Sequence, residues 1–238
     1  KALIAAIRYG GVDGAAVADR RDRWSKSHDA LVSGKQAQAD EALAKDTISP
    51  IGLCATLGDV LPDDTVYIDE TITSRPVIIQ HLGFKGPQSF FTVASGGLGQ
   101  GLGLALGAKL AMKDRPVVSV IGDGSFMYNP VTQSLALSKH KDIPIMIVIF
   151  NNEGYSAMRK EHHAYYPDGV AAASNASVGH EITDLDYADL AAPFGFYGRT
   201  VDALADLPGV LKEAYAATQD GRTAIVNVIL DEGVSATR

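Results

Sequence analysis

Val117-Val118-Ser119-Val120-Ile121-Gly122-Asp123-Gly124-Ser125 decides how this chain folds. A short apolar run ends abruptly in Gly-Asp-Gly. The 26 residues after Gly124 end in a second run, Ile145-Met146-Ile147-Val148-Ile149-Phe150, which leads straight into Asn151-Asn152-Glu153-Gly154-Tyr155. Apolar, β-branched runs without polar alternation predict strands buried on both faces, the signature of parallel sheets. Further strands are expected over residues 65–69, 89–93, 198–201 and 224–229. Helices are expected over 49–57, 73–81, 98–112, from beyond Ser125 to about 138, over 187–192 and over 204–217. Ser49 supplies an N-cap and Pro50 the first helical position. Strand alternating with helix predicts an α/β fold: a doubly wound, mostly parallel sheet with helices on both faces. Residues 1–46 read differently. A polar helix is expected over 15–30, interrupted at Ser33-Gly34, so 1–46 is a linker or helical arm and 47–238 the globular domain.

In such a fold ligands gather outside the carboxyl ends of the strands. Two strand ends here present one carboxylate, two carboxamides and several glycines. Oxygen donors of this kind suit a hard cation such as Mg²⁺ or Ca²⁺ rather than zinc. Glycines on either side of Asp123 let the backbone approach a phosphate and aim N–H groups at it. Ser125 is placed to start the next helix, whose N-terminus favours an anion. Asp-Gly after a strand is often no more than a turn; the paired motifs at two strand ends are what point to a metal bridged to a phosphate group.

The joint pattern, Gly-Asp-Gly and then Asn-Asn each directly after an apolar strand, resembles the thiamine diphosphate enzymes. Ala94-Ser95-Gly96-Gly97-Leu98-Gly99, Asp69-Glu70-Thr71-Ile72-Thr73-Ser74 and Asn152-Glu153-Gly154-Tyr155-Ser156-Ala157-Met158-Arg159 extend the likeness. Over roughly residues 47–230 the chain resembles the C-terminal, diphosphate-binding domain of the 2-oxo acid decarboxylase and carboligase superfamily, benzoylformate decarboxylase-like above all. The resemblance implies Mg²⁺ held by Asp123, Asn152 and the Gly154 carbonyl. It implies thiamine diphosphate held by Thr73, Ser74, Gly96, Gly97, Leu98, Gly122, Gly124, Ser125 and the Tyr155 amide. Ile72 stands where a hydroxyl is expected. Gly96 would accept from the pyrimidine 4′-amino group, and Leu98 would prop the cofactor into its V shape, which makes these two the catalytic candidates. The implied reaction is decarboxylation of a small 2-oxo acid, or ligation of aldehydes, through a C2 carbanion. Acetolactate synthase-like and oxalyl-CoA decarboxylase-like enzymes are the alternatives, as is a non-catalytic cofactor-holding module.

The family's N1′ glutamate lies on a pyrimidine-binding domain, and no second α/β domain is found in these residues. The expected partner is therefore that domain, in the same polypeptide or a second subunit, within a homodimer or homotetramer. Residues 1–46 would be the exit from a preceding middle domain. The chain does not begin with Met, so a fragment, a cleaved product or a natural subunit is expected. Thr92 and Glu161 stand at places that are aromatic in the benzoylformate branch, which weakens an aryl substrate and leaves a more polar 2-oxo acid or a carboligation acceptor open.

A formal charge of −7 argues against nucleic acid. The longest apolar run, Ile143 to Phe150, contains a proline and falls far short of the ~18 residues that span a bilayer. A single cysteine, Cys54, excludes an internal disulfide and fits a reducing, cytoplasmic setting; it reads as core. Gly97, Gly99, Gly101 and Gly103 do not complete a nicotinamide fingerprint, and Gly103 and Gly107 are expected to permit close helix packing. Adjacent His162 and His163 point to opposite sides, which argues against a shared metal; a solvated loop is expected there, with an active-site role for one of them as the alternative. Glu70 is open between a site contact and a structural role. Asn175-Ala176-Ser177 matches a glycosylation triplet, with nothing to suggest secretion.

Overall fold

The computed structural model describes residues 1–93, 96–174, 176, 178–182 and 184–231. Ala94 and Ser95, and Asn175 and Ser177 of the glycosylation triplet, lie outside the described residues. The chain divides into two units, Lys1–Glu41 and Ala42 onward.

The first unit carries α1 (Ala2–Gly10) and most of α2 (Gly14–Leu43). Asp13 accepts from the N–H groups of Ala15 and Ala16 and so caps α2. An Asp22–Lys26 pair at 2.8 Å adds the usual i,i+4 support on its polar surface. The interruption expected at Ser33-Gly34 is absent, because one glycine costs a helix only about 1 kcal/mol and Gly34 keeps a negative φ.

The second unit is built on six parallel strands: β1 (Val66–Glu70), β2 (Phe90–Thr92), β3 (Val117–Gly122), β4 (Met146–Asn151), β5 (Tyr197–Val201) and β6 (Ala224–Ile229), in the order β2-β1-β3-β4-β6-β5. The helices are α3 (Pro50–Val60), α4 (Arg75–His81), α5 (Gly101–Ala111), α6 (Asp123–Tyr128), α7 (Val131–Lys141), α8 (Ser156–Tyr165), α9 (Val170–Ser174) and α10 (Leu207–Gln219), with a 3₁₀ segment at Tyr187–Phe194. Alternation along each strand sorts the core into two layers. Val118, Val120, Met146 and Val148 pack with Leu53, Leu57, Ile78 and Leu211 of α3, α4 and α10. Val117, Ile121, Ile147 and Ile149 pack with Leu102 and Leu106 of α5, Leu135 of α7 and Tyr187. The doubly wound sheet expected from the sequence is therefore the fold. Among the described residues no helix is long and apolar enough to cross a membrane.

Three local expectations are corrected. The helix expected to run to about 138 is two helices, because Pro130 forces Asn129 into an extended conformation (ψ 150°). α5 begins at Gly101, so Leu98 sits in the preceding turn and does not open the helix. Gly103 and Gly107 meet nothing within 4 Å among the described residues, so the close helix packing expected of them is not made there. The Ser49 cap is as expected, its Oγ accepting from Gly52 N–H at 3.1 Å, and Cys54 is core.

Candidate active site

Chain order reverses between β1 and β3, with β2 on one side and β4 on the other. At such a switch point the loops leaving neighbouring strands diverge and open a crevice. A cavity of about 200 Å³ lies there. Thr71, Ile72, Thr73 and Ser74 line it after β1; Gly122, Asp123, Gly124 and Ser125 at the end of β3; Phe150, Asn152, Gly154 and Tyr155 around the end of β4; and Gly96 and Leu98 from the turn before α5. Eleven of the twelve residues singled out from the sequence thus share one cavity. Gly97 does not line it: the residue is exposed and its carbonyl accepts from Gln100 Nε2 at 2.8 Å. Thr71, Phe150, Ser156, Ala157 and Met158 also line the cavity and were not singled out. Their signal was position alone, beside motif residues.

Asp123 is the first residue of α6 and is 3% exposed. Burial pushes its carboxyl up to about 6, against the opposing pull of backbone N–H groups at Gly124, Gly154 and its own position. Oδ2 accepts from Gly154 N–H at 2.9 Å. The two asparagines after β4 divide. Asn151 is a brace: Nδ2 donates to Asn227 Oδ1 at 3.1 Å, and Oδ1 accepts from Glu153 N–H at 2.9 Å, which holds Glu153 at φ 57°. Asn152 is buried, lines the cavity, and its Oδ1 has no hydrogen-bond partner among the described residues. A buried carbonyl oxygen without a partner costs free energy as it stands. Asn152 and Asp123 line the same cavity, and oxygen donors of this kind could hold a hard cation.

At Gly124 a Cβ would stand 2.6 Å from Tyr155 Cε1, so the Tyr155 ring lies directly on the glycine backbone. The Tyr155 amide is not available to a phosphate, contrary to expectation. It donates to the His180 carbonyl at 2.7 Å, while Ile182 N–H donates to the Glu153 carbonyl at 2.9 Å, and Gly154 bridges Glu181 in antiparallel fashion. The loop after β4 is thereby stitched to residues 180–182.

Glu70 is settled as an anchor of the loops. It is fully buried and does not line the cavity; its carboxylate accepts from the N–H groups of Gly99, Gln100 and Gly101 and from Asn129 Nδ2. Thr92 and Glu161, the grounds for expecting a polar substrate, both lie outside the cavity lining: Thr92 Oγ1 turns to Asp69, and Glu161 is exposed on α8. His162 and His163 lie outside it too. His162 packs against Tyr166 and His180.

The family model described as "Thiamine pyrophosphate enzyme, C-terminal TPP binding domain" matches residues 73–228. The chain is 31% identical over 156 residues to benzoylformate decarboxylase of Pseudomonas aeruginosa, covering 66% of this chain and 28% of the relative. It is 27% identical over 184 residues to sulfoacetaldehyde acetyltransferase of Castellaniella defragrans, covering 76% and 29%. The solved thiamine diphosphate-dependent 4-hydroxybenzoylformate decarboxylase of Rhodococcus jostii RHA1 superposes with a TM-score of 0.68 at 29% identity, over 79% of this chain and 34% of that one. The chain thus spans about a third or less of the length of these relatives.

Proposed function

Because the chain belongs to the thiamine pyrophosphate enzymes, as their C-terminal TPP-binding domain, we propose that it holds the diphosphate and Mg²⁺ end of the cofactor in an enzyme that decarboxylates a small 2-oxo acid. The observation that carries this reading is the pairing of buried Asp123 with the orphaned Oδ1 of Asn152 in one cavity with Leu98. The residues present fit the group. Asp123 and Asn152 offer side-chain oxygens to the cation, with the Gly154 carbonyl as a third. Gly124, Ser125, Thr73 and Ser74 offer small or hydroxyl-bearing walls to the diphosphate. When bound, thiamine diphosphate supplies an electron sink next to a substrate carbonyl carbon. The chain's own residues would bind and orient it: Asp123 and Asn152 would hold the cation that offsets the phosphate charge, Gly96 would lie toward the pyrimidine, and half-buried Leu98 would serve as the prop.

The pyrimidine end needs a carboxylate from a pyrimidine-binding domain, in the same polypeptide or a second subunit, in a homodimer or homotetramer. Exposed Ile72, Met127, Tyr128 and Met158 around these loops give that domain an apolar surface to cover. In this reading the helical unit Lys1–Glu41 would be a linker to the rest of the polypeptide. A second reading, ligation of a carbonyl acceptor, is favoured by the 30% identity over 151 residues to the acetolactate synthase isozyme 2 large subunit of Escherichia coli.

Calorimetric titration of the full-length protein with thiamine diphosphate, with and without Mg²⁺, tests the half-site. Tight binding only with Mg²⁺, lost in Asp123→Ala, is the expected result, and Mg²⁺-independent binding unchanged in that variant would sink it. Carbon dioxide release from benzoylformate or pyruvate, with or without an added aldehyde acceptor, separates decarboxylation from ligation.

A further inference from the structure

β1 ends in two adjacent carboxylates, Asp69 and Glu70, both fully buried. Neighbouring strand residues point to opposite faces, so the two reach different loops. Asp69 turns to the segment that follows it. Oδ1 accepts from Thr71 N–H at 2.9 Å and Thr71 Oγ1 at 2.6 Å, and Oδ2 pairs with Arg75 Nε at 2.6 Å. Those bonds bracket residues 71–74, one wall of the cavity.

Glu70 turns to the opposite wall. Oε1 accepts from Gly99 N–H at 2.7 Å and Gln100 N–H at 2.9 Å; Oε2 accepts from Gly101 N–H at 3.0 Å and Asn129 Nδ2 at 2.7 Å. Asn129 continues the link: its Oδ1 accepts from Leu102 N–H at 3.0 Å, and Nδ2 also donates to the Ser125 carbonyl at 2.9 Å. One carboxylate thus ties the turn that presents Leu98 to the strand end and, through Asn129, to α6, which carries Asp123. The turn is built around it. Gly99 has φ 97° and a Cβ there would stand 2.6 Å from the Tyr128 carbonyl, while a Cβ on Gly101 would stand 2.7 Å from Glu70 Oε2. A helix start needs only a local Ser or Asp cap to satisfy its free N–H groups. A buried carboxylate from another strand does more, because it fixes where the turn sits as well as capping it.

We propose that these two residues divide the positioning of the cavity: Asp69 sets the diphosphate wall, residues 71–74, and Glu70 sets the Leu98 turn. The inference rests on the cofactor reading above, and it predicts a crossed pattern that a shared structural role would not produce. The experiment uses the full-length protein, with thiamine diphosphate and Mg²⁺ as the titrant and hydrogen exchange of the cofactor-free protein as the second readout. Glu70→Gln puts an amide donor among four donors. It should speed exchange at residues 99–102 at least tenfold, leave β3 and β4 amides unchanged, and keep the cofactor Kd within threefold, with kcat on a turned-over 2-oxo acid down at least tenfold. Asp69→Asn should raise the Kd at least tenfold while residues 99–102 exchange as in wild type. Where Glu70→Gln yields no folded protein, Asn129→Ala replaces it, and Arg75→Lys replaces Asp69→Asn; the same outcomes decide. Wild-type protein that binds no thiamine diphosphate overturns the cofactor reading and this inference together. Normal wild-type binding with both variants shifting Kd and exchange in parallel, or neither, overturns the division of roles alone.

Discussion

Gly154 N–H donates to Asp123 Oδ2 across 2.9 Å, so the start of α6 and the loop after β4 are joined before any ligand arrives. The bond holds a carboxylate in a place that disfavours its charge, since burial moves the carboxyl from the usual 3.8 to about 6. A raised carboxyl binds its proton more tightly folded than unfolded. Stability of the metal-free protein therefore falls as pH rises through the window from about 4 to 6, and the loss is complete above it. The displacement corresponds to about 3 kcal/mol at 1.36 kcal/mol per pH unit. Asp123→Asn should remove that contribution. Denaturant midpoints measured in EDTA should converge for the two proteins near pH 4 and favour the variant above pH 6. Parallel curves would contradict the burial argument.

Gly198 of edge strand β5 makes a sharper stability test than any cavity residue. A Cβ there would strike the Ala188 carbonyl oxygen and stand 2.9 Å from Ala191 Cβ, both in the 3₁₀ segment packed on the strand. The first of these is backbone and cannot swing away. Gly198→Ala should cost about 1–3 kcal/mol or more, as overpacking does, while Gly209→Ala, which meets open space, should be neutral or slightly stabilising. Urea unfolding of the two variants side by side checks the contrast.

Cys54 lies fully buried on α3, and burial raises its thiol well above the usual range. The thiolate is the reactive form, so native protein should resist iodoacetamide at pH 8. Labelling should track global unfolding across a urea series. Fast modification without denaturant would mean that α3 opens locally.

The central strands were legible because they are short, largely apolar runs: β3, β4 and β6 begin and end within a residue or two of the sequence expectation. The site was legible for the same reason, since a parallel sheet puts motif residues at strand ends into one crevice. What escaped was non-local. Glu70 meets Gly99 across 29 residues, and no pattern near either residue announces the bond. The Tyr155 amide is claimed by His180, from a stretch with no periodicity to mark it as a partner. The Ser33-Gly34 break failed because a propensity of ~1 kcal/mol does not end a long helix unaided.

Leu98 tests the site most directly, because its two roles predict opposite results. A core leucine loses about 2–5 kcal/mol on truncation to alanine. Leu98 belongs to neither buried layer: it is half-buried, precedes α5 by three residues and lines the cavity. With no surrounding core to leave a cavity in, Leu98→Ala should lower stability by well under about 2 kcal/mol. As the prop beneath the cofactor it should matter for turnover instead. The residues proposed to hold the diphosphate and Mg²⁺ lie elsewhere in the cavity, so cofactor Kd should move less than kcat does. Thermal unfolding, calorimetric Kd and kcat on the same preparation distinguish the cases. A melting temperature far below wild type with unchanged kcat would return Leu98 to the core, and a Kd loss as large as the kcat loss would make it a binding residue rather than a prop.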